Sequence, residues 1–341
     1  MLNSSSMSLS ILRSGLLTTV QDLGRHGYQR DGIVVGGAMD ATALRVANLL
    51  VGNPEITAGL EIALPGPKIR FETAHLLALT GAHLSPTLNG QPVGMNRPVW
   101  VAAGTELAFG APVAGSRAYL AVAGGFALVP VLGSQSTYLR AGFGGFQGRA
   151  LQAGDVLPGA GSTATGQRIA KPLAQRMLHS GWVQARWMPA PILCPAPHPN
   201  PVIRAVRGPE YGLFSAASQR AFWHEPFTVT PQADRMGYRL HGPALARPLE
   251  TELLSSAVTF GTVQVPAGGQ AIVLMADRQT TGGYPRLAQV VTADLSALAQ
   301  VRPGARIQFA EVSLAEAQAL YLAQERQLQG LQRGIATVFV S

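Results

Sequence analysis

Residues 271–291 read AIVLMADRQTTGGYPRLAQVV. The apolar run from Ala271 to Ala276 has the length of a buried strand, stops at Asp277, and gives way to a polar loop before apolar sequence resumes at Leu287. Only 13% of the chain is charged, so an acid and a base side by side at a strand end stand out. Leaving either unpaired in low dielectric costs about 3–5 kcal/mol, so each needs a partner in the protein or in a ligand. Successive strand residues point to opposite faces, and Asp277 and Arg278 are therefore expected to find separate partners. Two hydroxyls, Thr280 and Thr281, precede Gly282-Gly283. That order sets side-chain donors beside backbone free to take positive φ, which can present N–H groups to an anion or a carbonyl oxygen. A hairpin loop with a structural salt bridge accounts for the same residues, and the stretch by itself leaves both readings open.

The composition around this stretch agrees with a β protein. With 341 residues the chain buries a large core and is long enough for two domains. Its 39 Gly and 24 Pro, spread throughout a chain that is 47% apolar, argue against disorder and long helices and favour short strands joined by tight turns. The formal charge of +8 comes almost entirely from scattered Arg, with Lys only at 68 and 171. Phosphate tracking needs clustered cations, so nucleic acid is not an expected partner; an acidic protein surface or a small anion fits better. A single cysteine, Cys194, builds neither a disulfide nor a thiolate metal site within one chain. No apolar run reaches 18 residues and no basic region precedes the short apolar segment after Met1. The expectation is a cytoplasmic protein with no membrane association, for which Met7 is a candidate start.

Taken in order, Leu9–Leu12 reads as a strand and Ser14-Gly15 as a turn, followed by the Gly-punctuated loop VQDLGRHGYQRDGIVVGG. Met39 to Leu50 has helical spacing, with Asp40 as N-cap and Gly52-Asn53-Pro54 as the stop. Arg45 and Asn48 on it read as a solvated charge and a structural amide. Short strands alternate with turns from Glu61 to Phe109, and Asn89-Gly90 and Ala103-Gly104 are hairpin signals. A β segment at 116–126 leads into the loop-like RAGFGGFQGRALQAGD, whose glycine spacing matches no dinucleotide fingerprint or phosphate loop. Residues 158–201, ending in MPAPILCPAPHPNP, form a proline-rich interruption and the expected domain boundary. Beyond it come a strand (Val202 to Val206), a helix near 212–222, a strand (Pro226 to Thr230), the polar loop PQADRMGYRLHG, further strands, and a helix from Leu314 to Gln329.

Several chemistries are closed to this sequence. There is no HExxH, no His pair at i, i+4, no Gly-x-Ser-x-Gly, and the cysteine sits among prolines. No metal site is expected within the chain. What remains are acid–Arg clusters: Asp22 with Arg25, Asp234 with Arg235 and Arg239, and Asp277 with Arg278. Loops of a β-barrel converge at one end, so the second and third clusters are candidates for one pocket.

Three segments then become recognisable: QDLGRHGYQRDGIVVGGAMD, PQADRMGYRLHGP and FGTVQVPAGGQAIVLMADRQTTGGYPRLAQV. They closely resemble the family known as allophanate hydrolase subunit 2, as biotin-dependent carboxyltransferase or as the C-type subunit of 5-oxoprolinase. The resemblance implies a mainly β chain of two cyclophilin-like β-barrel domains with a few short helices, here 8–188 and 201–341. It also implies work within a complex. Bacterial members look like the C-type subunit of an ATP-dependent 5-oxoprolinase, beside a B-like subunit of similar fold and an A-like subunit of separate fold, with ATP and Mg2+ held jointly with the partner. On that reading Asp277, Arg278, Thr280, Thr281 and Asp234 are candidate catalytic residues. Arg235, Arg239, Gln264, Gln279, Gly282, Gly283 and Tyr284 are candidate substrate contacts. One departure stands out: members commonly carry Ser-Glu ahead of the GTVQVP-type strand, whereas Ser255 is followed here by Ser256 and Ala257, leaving Glu250 or Glu252 as stand-ins. Two alternatives share the fold. One is a carboxyltransferase like that of urea carboxylase, with biotin on another chain because neither Lys68 nor Lys171 is flanked by Met. The other is a non-enzymatic regulator that binds a kinase-inhibitor partner.

Overall fold

The computed structural model describes residues 8–177, 180–249 and 253–340. The chain divides into two compact units. Unit 1 takes Asp40–Ala196 with the chain before Arg25 and after Glu325, and unit 2 takes Arg25–Met39 and Pro197–Glu325. The main boundary thus falls inside the proline-rich stretch. A division into 8–188 and 201–341 leaves out two exchanges, and burial explains both. Met39 sits in the core of unit 2, while Leu328 and Ile335 are buried in unit 1.

In unit 1 the strands are β1 (Ser8–Arg13), β2 (Leu17–Gln21), β3 (Gly59–Ala63), β4 (Lys68–Phe71), β5 (His75–His83) and β6 (Thr87–Leu88). They continue with β7 (Gln91–Pro92), β8 (Pro98–Val101), β9 (Glu106–Ala108), β10 (Ala114–Val122), β11 (Val156–Pro158) and β12 (Trp182–Gln184). Helices α1 (Ala41–Leu50) and α2 (Ala164–Gln175) accompany them. The strands form two six-stranded antiparallel sheets, in the orders β11-β1-β4-β9-β6-β7 and β12-β8-β5-β10-β3-β2.

The second sheet explains why β5 and β10 are almost continuously apolar. Leu77 and Leu79 of β5 and Leu120 and Val122 of β10 face a core shared with Ile11, Ile69 and Phe71 of the first sheet. Their neighbours Leu76, Ala78 and Ala121 face Val46, Leu50, Ile169 and Leu173 of the two helices. A strand covered on both faces loses the polar half of its alternation.

Helix α1 begins as its sequence requires, with the Asp40 carboxylate accepting the N–H of Ala43 at 2.9 Å. The buried Tyr119 hydroxyl accepts the Asp40 N–H at 2.8 Å and donates to Glu61 at 2.7 Å, which ties the helix start to the sheet. Burial and the two nearby carboxylates hold that phenol well above its ordinary pKa. Asn48 is a structural amide, donating to the carbonyls of Glu55 and Thr57, and Arg45 pairs with Glu55.

Two turn signals part company. Asn89 and Gly90, both at positive φ, join β6 to β7 as a hairpin. Ala103-Gly104 is instead a corner: β8 pairs with β5 and β12, whereas β9 pairs with β4 and β6 of the other sheet. The interruption at 158–201 also holds more structure than its prolines and glycines indicate, since Thr163 caps α2 and β12 follows.

Unit 2 contains β13 (Val202–Arg207), α3 (Ala216–His224), β14 (Phe227–Val229), β15 (Gly237–His241), β16 (Ser256–Ala257), β17 (Thr262–Gln264) and β18 (Ile272–Leu274). It goes on through β19 (Thr281–Gly282), β20 (Arg286–Val290), α4 (Leu295–Ala299), β21 (Arg306–Glu311) and the start of α5 (Leu314–Val340). Strands β13, β20, β17, β18, β15, β14 and β21 bond in that order, and β21 returns parallel to β13 to close a barrel. The segment expected as a polar loop, PQADRMGYRLHG, supplies β15: Tyr238 and Leu240 turn into the core while Arg239 and His241 turn out. Inside, Phe222 of α3 stacks on Phe309 at 4.5 Å, with Phe227 edge-on to Phe309 at 5.8 Å. Helix α5 runs past Gly330, beyond the expected stop at Gln329, because burial of Leu328 and Ile335 outweighs a glycine penalty of about 1 kcal/mol. Mainly β with few helices is the class the structure has.

The cap at α1 is directly testable. Asp40→Ala should lower unfolding free energy in urea by about 0.5–2 kcal/mol, with Asp40→Asn costing less because it keeps a capping oxygen.

Candidate functional site

The apolar run that ends at Ala276 delivers Asp277 into the interior of unit 2. There its two carboxylate oxygens receive Nε and Nη2 of Arg235, each at 2.9 Å, and both side chains are buried. This is the parallel fork geometry in which a guanidinium meets a carboxylate most strongly. The backbone repeats the link, since the Asp277 N–H donates to the Arg235 carbonyl at 2.8 Å. Arg235 Nη2 also donates to the carbonyl of Gly37 at 2.6 Å. The loop GIVVGG therefore reaches the same place as ADRQTTGG and QADRMG. Gly36 holds φ +66°, and a side-chain carbon built there would lie 3.6 Å from both Asp277 Oδ1 and Arg25 Nη1. Arg25 is itself 1% exposed, so two guanidiniums gather near one carboxylate. The second and third acid–Arg clusters of the sequence are joined, 42 residues apart, through this pair.

Arg278 looks elsewhere: β18 ends at Leu274, and a turn in which the Arg278 N–H donates to the Met275 carbonyl at 3.2 Å parts the two side chains, where strand alternation was expected to. Its Nη1 lies 3.4 Å from the carbonyls of Met275 and Ala276, and the guanidinium stands 6.0 Å from the Phe260 ring. Nε is buried without a hydrogen-bond partner, and Arg278 makes no ion pair with the described residues. Burial pushes its pKa down to about 10, against the opposing pull of the Asp277 charge. This half-buried cation has donor capacity left over.

Around it the loop folds back on segment 253–258. Thr281 and Gly282 form β19 and pair with Ala257 and Ser256 of β16, and the carbonyl of Thr280 accepts the Val258 N–H at 3.1 Å. The hydroxyls of Thr280 and Thr281 make no hydrogen bond with the described residues, and Thr281 is exposed. Gln264 is buried, donates to the Tyr284 carbonyl at 3.2 Å and accepts from Gln279 at 3.4 Å. A side-chain carbon on Gly282 would come within 2.8 Å of the Gln264 amide, so glycine is what lets the loop lie this close. Gly283 has more room: a side-chain carbon there would lie 3.3 Å from the Leu253 carbonyl and 3.5 Å from the Ser255 hydroxyl. Tyr284 is 53% exposed.

Two candidates stand apart from this group. Asp234 spends Oδ1 on the N–H groups of Met236 (2.8 Å) and Gly237 (3.1 Å), capping the turn before β15. Arg239 lies on the outward face of β15, opposite Ile272, toward the other end of the β15–β18 ladder from Asp277. Glu250 and Glu252 lie outside the described residues. Sequence reasoning passes over Gly37 and the fork between Arg286 and Glu210, where Nε and Nη2 donate at 2.8 and 2.7 Å and Arg286 Nη1 reaches the Ala257 carbonyl. The only signal for the first is the doubled glycine at 36–37; the second pair, 76 residues apart, has none.

A family model described as carboxyltransferase domain, subdomain A and B, matches residues 31–311. The chain belongs to this carboxyltransferase-domain family. Among its relatives, the C-type subunit of 5-oxoprolinase from Escherichia coli (strain K12) is 45% identical over 309 residues, covering 91% of this chain and 93% of that protein. The protein of the same name from Haemophilus influenzae is 42% identical over 315 residues, covering 92% and 94%. Among solved structures, the K. lactis urea amidolyase superposes with a TM-score of 0.85 at 29% identity, covering 97% of this chain and 20% of that one. Within this carboxyltransferase domain, Ser256 faces Gly282 across the β16–β19 ribbon.

The geometry separates Arg235 from Arg278. Arg235→Ala strands a buried carboxylate and should cost about 3–5 kcal/mol in chemical denaturation, whereas Arg278→Ala breaks no ion pair and should leave the midpoint close to wild type.

Glu210 offers a pH test. The hydrogen bonds from Arg286 hold its carboxyl below the usual range, so its stabilisation is complete above the unfolded carboxylate pKa and is lost as pH falls through the depressed folded value. Melting scans of wild type and Glu210→Gln should differ most near neutral pH and converge on acidification.

Proposed function

We propose that this chain is the C-type subunit of an ATP-dependent 5-oxoprolinase that opens 5-oxoproline to glutamate. The observation that carries the reading is likeness along nearly the whole of both chains to two proteins named as that subunit of 5-oxoprolinase. The site's chemistry is compatible with it. Amide resonance makes a lactam carbonyl a poor electrophile, and a phosphoryl group from ATP on its oxygen supplies a leaving group. Charge that develops there needs donors aimed at it in a dry site, each worth about 2.7–4 kcal/mol. Arg278, with its unused Nε–H, and the hydroxyls of Thr280 and Thr281 are the donors on this chain. Asp277 and Arg235, each committed to the other, hold the loop in place; Gln264 and Gln279 fix its far side.

No glycine-rich phosphate loop lies in the sequence. In this proposal ATP and Mg2+ are accordingly bound jointly with a B-like subunit, the assembly also includes an A-like subunit, and the complex works in the cytoplasm. No helix among the described residues is long and apolar enough to cross a membrane. The runner-up is a carboxyltransferase acting on biotin carried by another chain, favoured by the likeness to urea amidolyase.

Purified alone, the chain should show no 5-oxoproline-dependent ATP hydrolysis; activity should appear on adding the B- and A-like subunits. Turnover by the isolated chain, or avidin-sensitive carboxylation by the assembly, would refute the proposal. In the active complex Arg278→Ala should lower kcat by about 10²–10³-fold. Thr281→Val should slow turnover less, with assembly intact in both variants.

A further inference from the structure

The outer wall of the barrel in unit 2 carries a second concentration of polar chemistry, away from the Asp277 loop. Strands β14, β15 and β18 lie side by side, with Arg239 opposite Ile272 on one side. On the other side Thr230 meets Arg239 through the Thr230 N–H and the Arg239 carbonyl at 2.9 Å. One rung on, His241 lies opposite Thr228. Tyr238, Leu240 and Val273 point into the core, so alternation turns Arg239 and His241 outward. The turns at Gln232 and at Pro266–Gly268 wall this strip into a recess of about 310 Å³. That volume lies at the lower end of the roughly 300–1,000 Å³ range for small-molecule sites.

The chemistry inside is one-sided. Among the described residues no Asp or Glu lines the recess, whereas Arg239, His241, Gln232 and Gln270 do. Arg239 makes no ion pair, and neither it, His241 nor Gln232 makes a side-chain hydrogen bond, with the described residues. Thr230 lines the same recess, and its hydroxyl oxygen is buried with no hydrogen-bond partner, an arrangement native interiors seldom leave unmet. A solvated surface arginine would account for Arg239 alone. It does not account for a concavity in which a guanidinium fork, the Gln232 amide and a shielded hydroxyl share one wall with no carboxylate to neutralise them; the Gln270 amide in the same wall is taken up by the Gly242 N–H at 3.1 Å and carbonyl at 3.4 Å. A guanidinium of this kind matches a carboxylate or phosphate through two parallel N–H···O bonds.

We propose that this recess is a binding site for a small oxyanion, a carboxylate or phosphate metabolite, gripped by Arg239 and flanked by His241 and Gln232. The site is separate from the loop containing Arg278, and its occupancy does not depend on the activity proposed above.

Calorimetric titration of the intact chain at low ionic strength tests this, with inorganic phosphate in one arm and L-glutamate in the other. Saturable one-to-one binding of at least one probe is expected, and the preferred arm identifies the anion as phosphate or carboxylate. Arg239→Gln, an exposed position with no ion pair to lose among the described residues, should weaken that binding at least tenfold with an unchanged melting curve, whereas Arg278→Ala should leave it intact. The proposal fails if neither anion binds, if Arg239→Gln binds as wild type, or if Arg278→Ala abolishes binding. It fails equally if neither anion binds and Arg239→Gln instead weakens assembly with a partner subunit, in which case the recess is a protein-docking surface.

Discussion

A carboxylate drawn into a protein interior must be met by a cation with nearly ideal geometry, because the penalty for dehydrating each ion is several kcal/mol. Asp277 meets that condition with both oxygens on Arg235, and three segments of unit 2 are located by the result. The turn after β18 is held by Asp277, the turn before β15 by Arg235, and the loop GIVVGG by the Gly37 carbonyl on the same guanidinium. With Asp277 spoken for, the turn after β18 carries Arg278 away from it, to a place where no acid among the described residues waits. One residue therefore serves the fold, and its neighbour is left with bonding capacity to spend on something else.

Much of this arrangement is legible in the amino-acid sequence. The break at Asp277 and the separate partners of Asp277 and Arg278 are there to be read, although the strand covers only Ile272–Leu274 and a turn, not alternation of faces, parts the pair. Helix α1 is legible too, its N-cap and stop written between Asp40 and Pro54. What a sequence does not display is partner choice over distance: Asp234 and Arg235 are neighbours, yet one caps a local turn while the other crosses to Asp277, and nothing in their spacing distinguishes them. Arg239 groups with Arg235 on sequence because a stretch rich in Arg, Asp and Gly looks like a loop. Leu240 and Tyr238 make it a strand, and the strand sends Arg239 outward. Ala103-Gly104 misleads for a related reason, since a turn's residues specify its tightness but not which sheet receives the next strand.

The loop beside Arg278 is also shaped by what is missing from it. Gly282 brings the backbone to the Gln264 amide, and the small Ser256 faces it across the ribbon. Arg278, beside this loop, makes no ion pair with the described residues, a condition that favours anionic ligands.

The exchange of segments between the units bears on how this chain can vary. A fragment beginning at Pro197 contains strands β13 to β21, yet it lacks Met39 from the core and the Gly37 carbonyl that holds Arg235. A fragment ending at Ala196 likewise leaves behind Leu328 and Ile335. No single crossover point separates the two cores, so recombination or fusion that treats the halves as interchangeable cassettes breaks both.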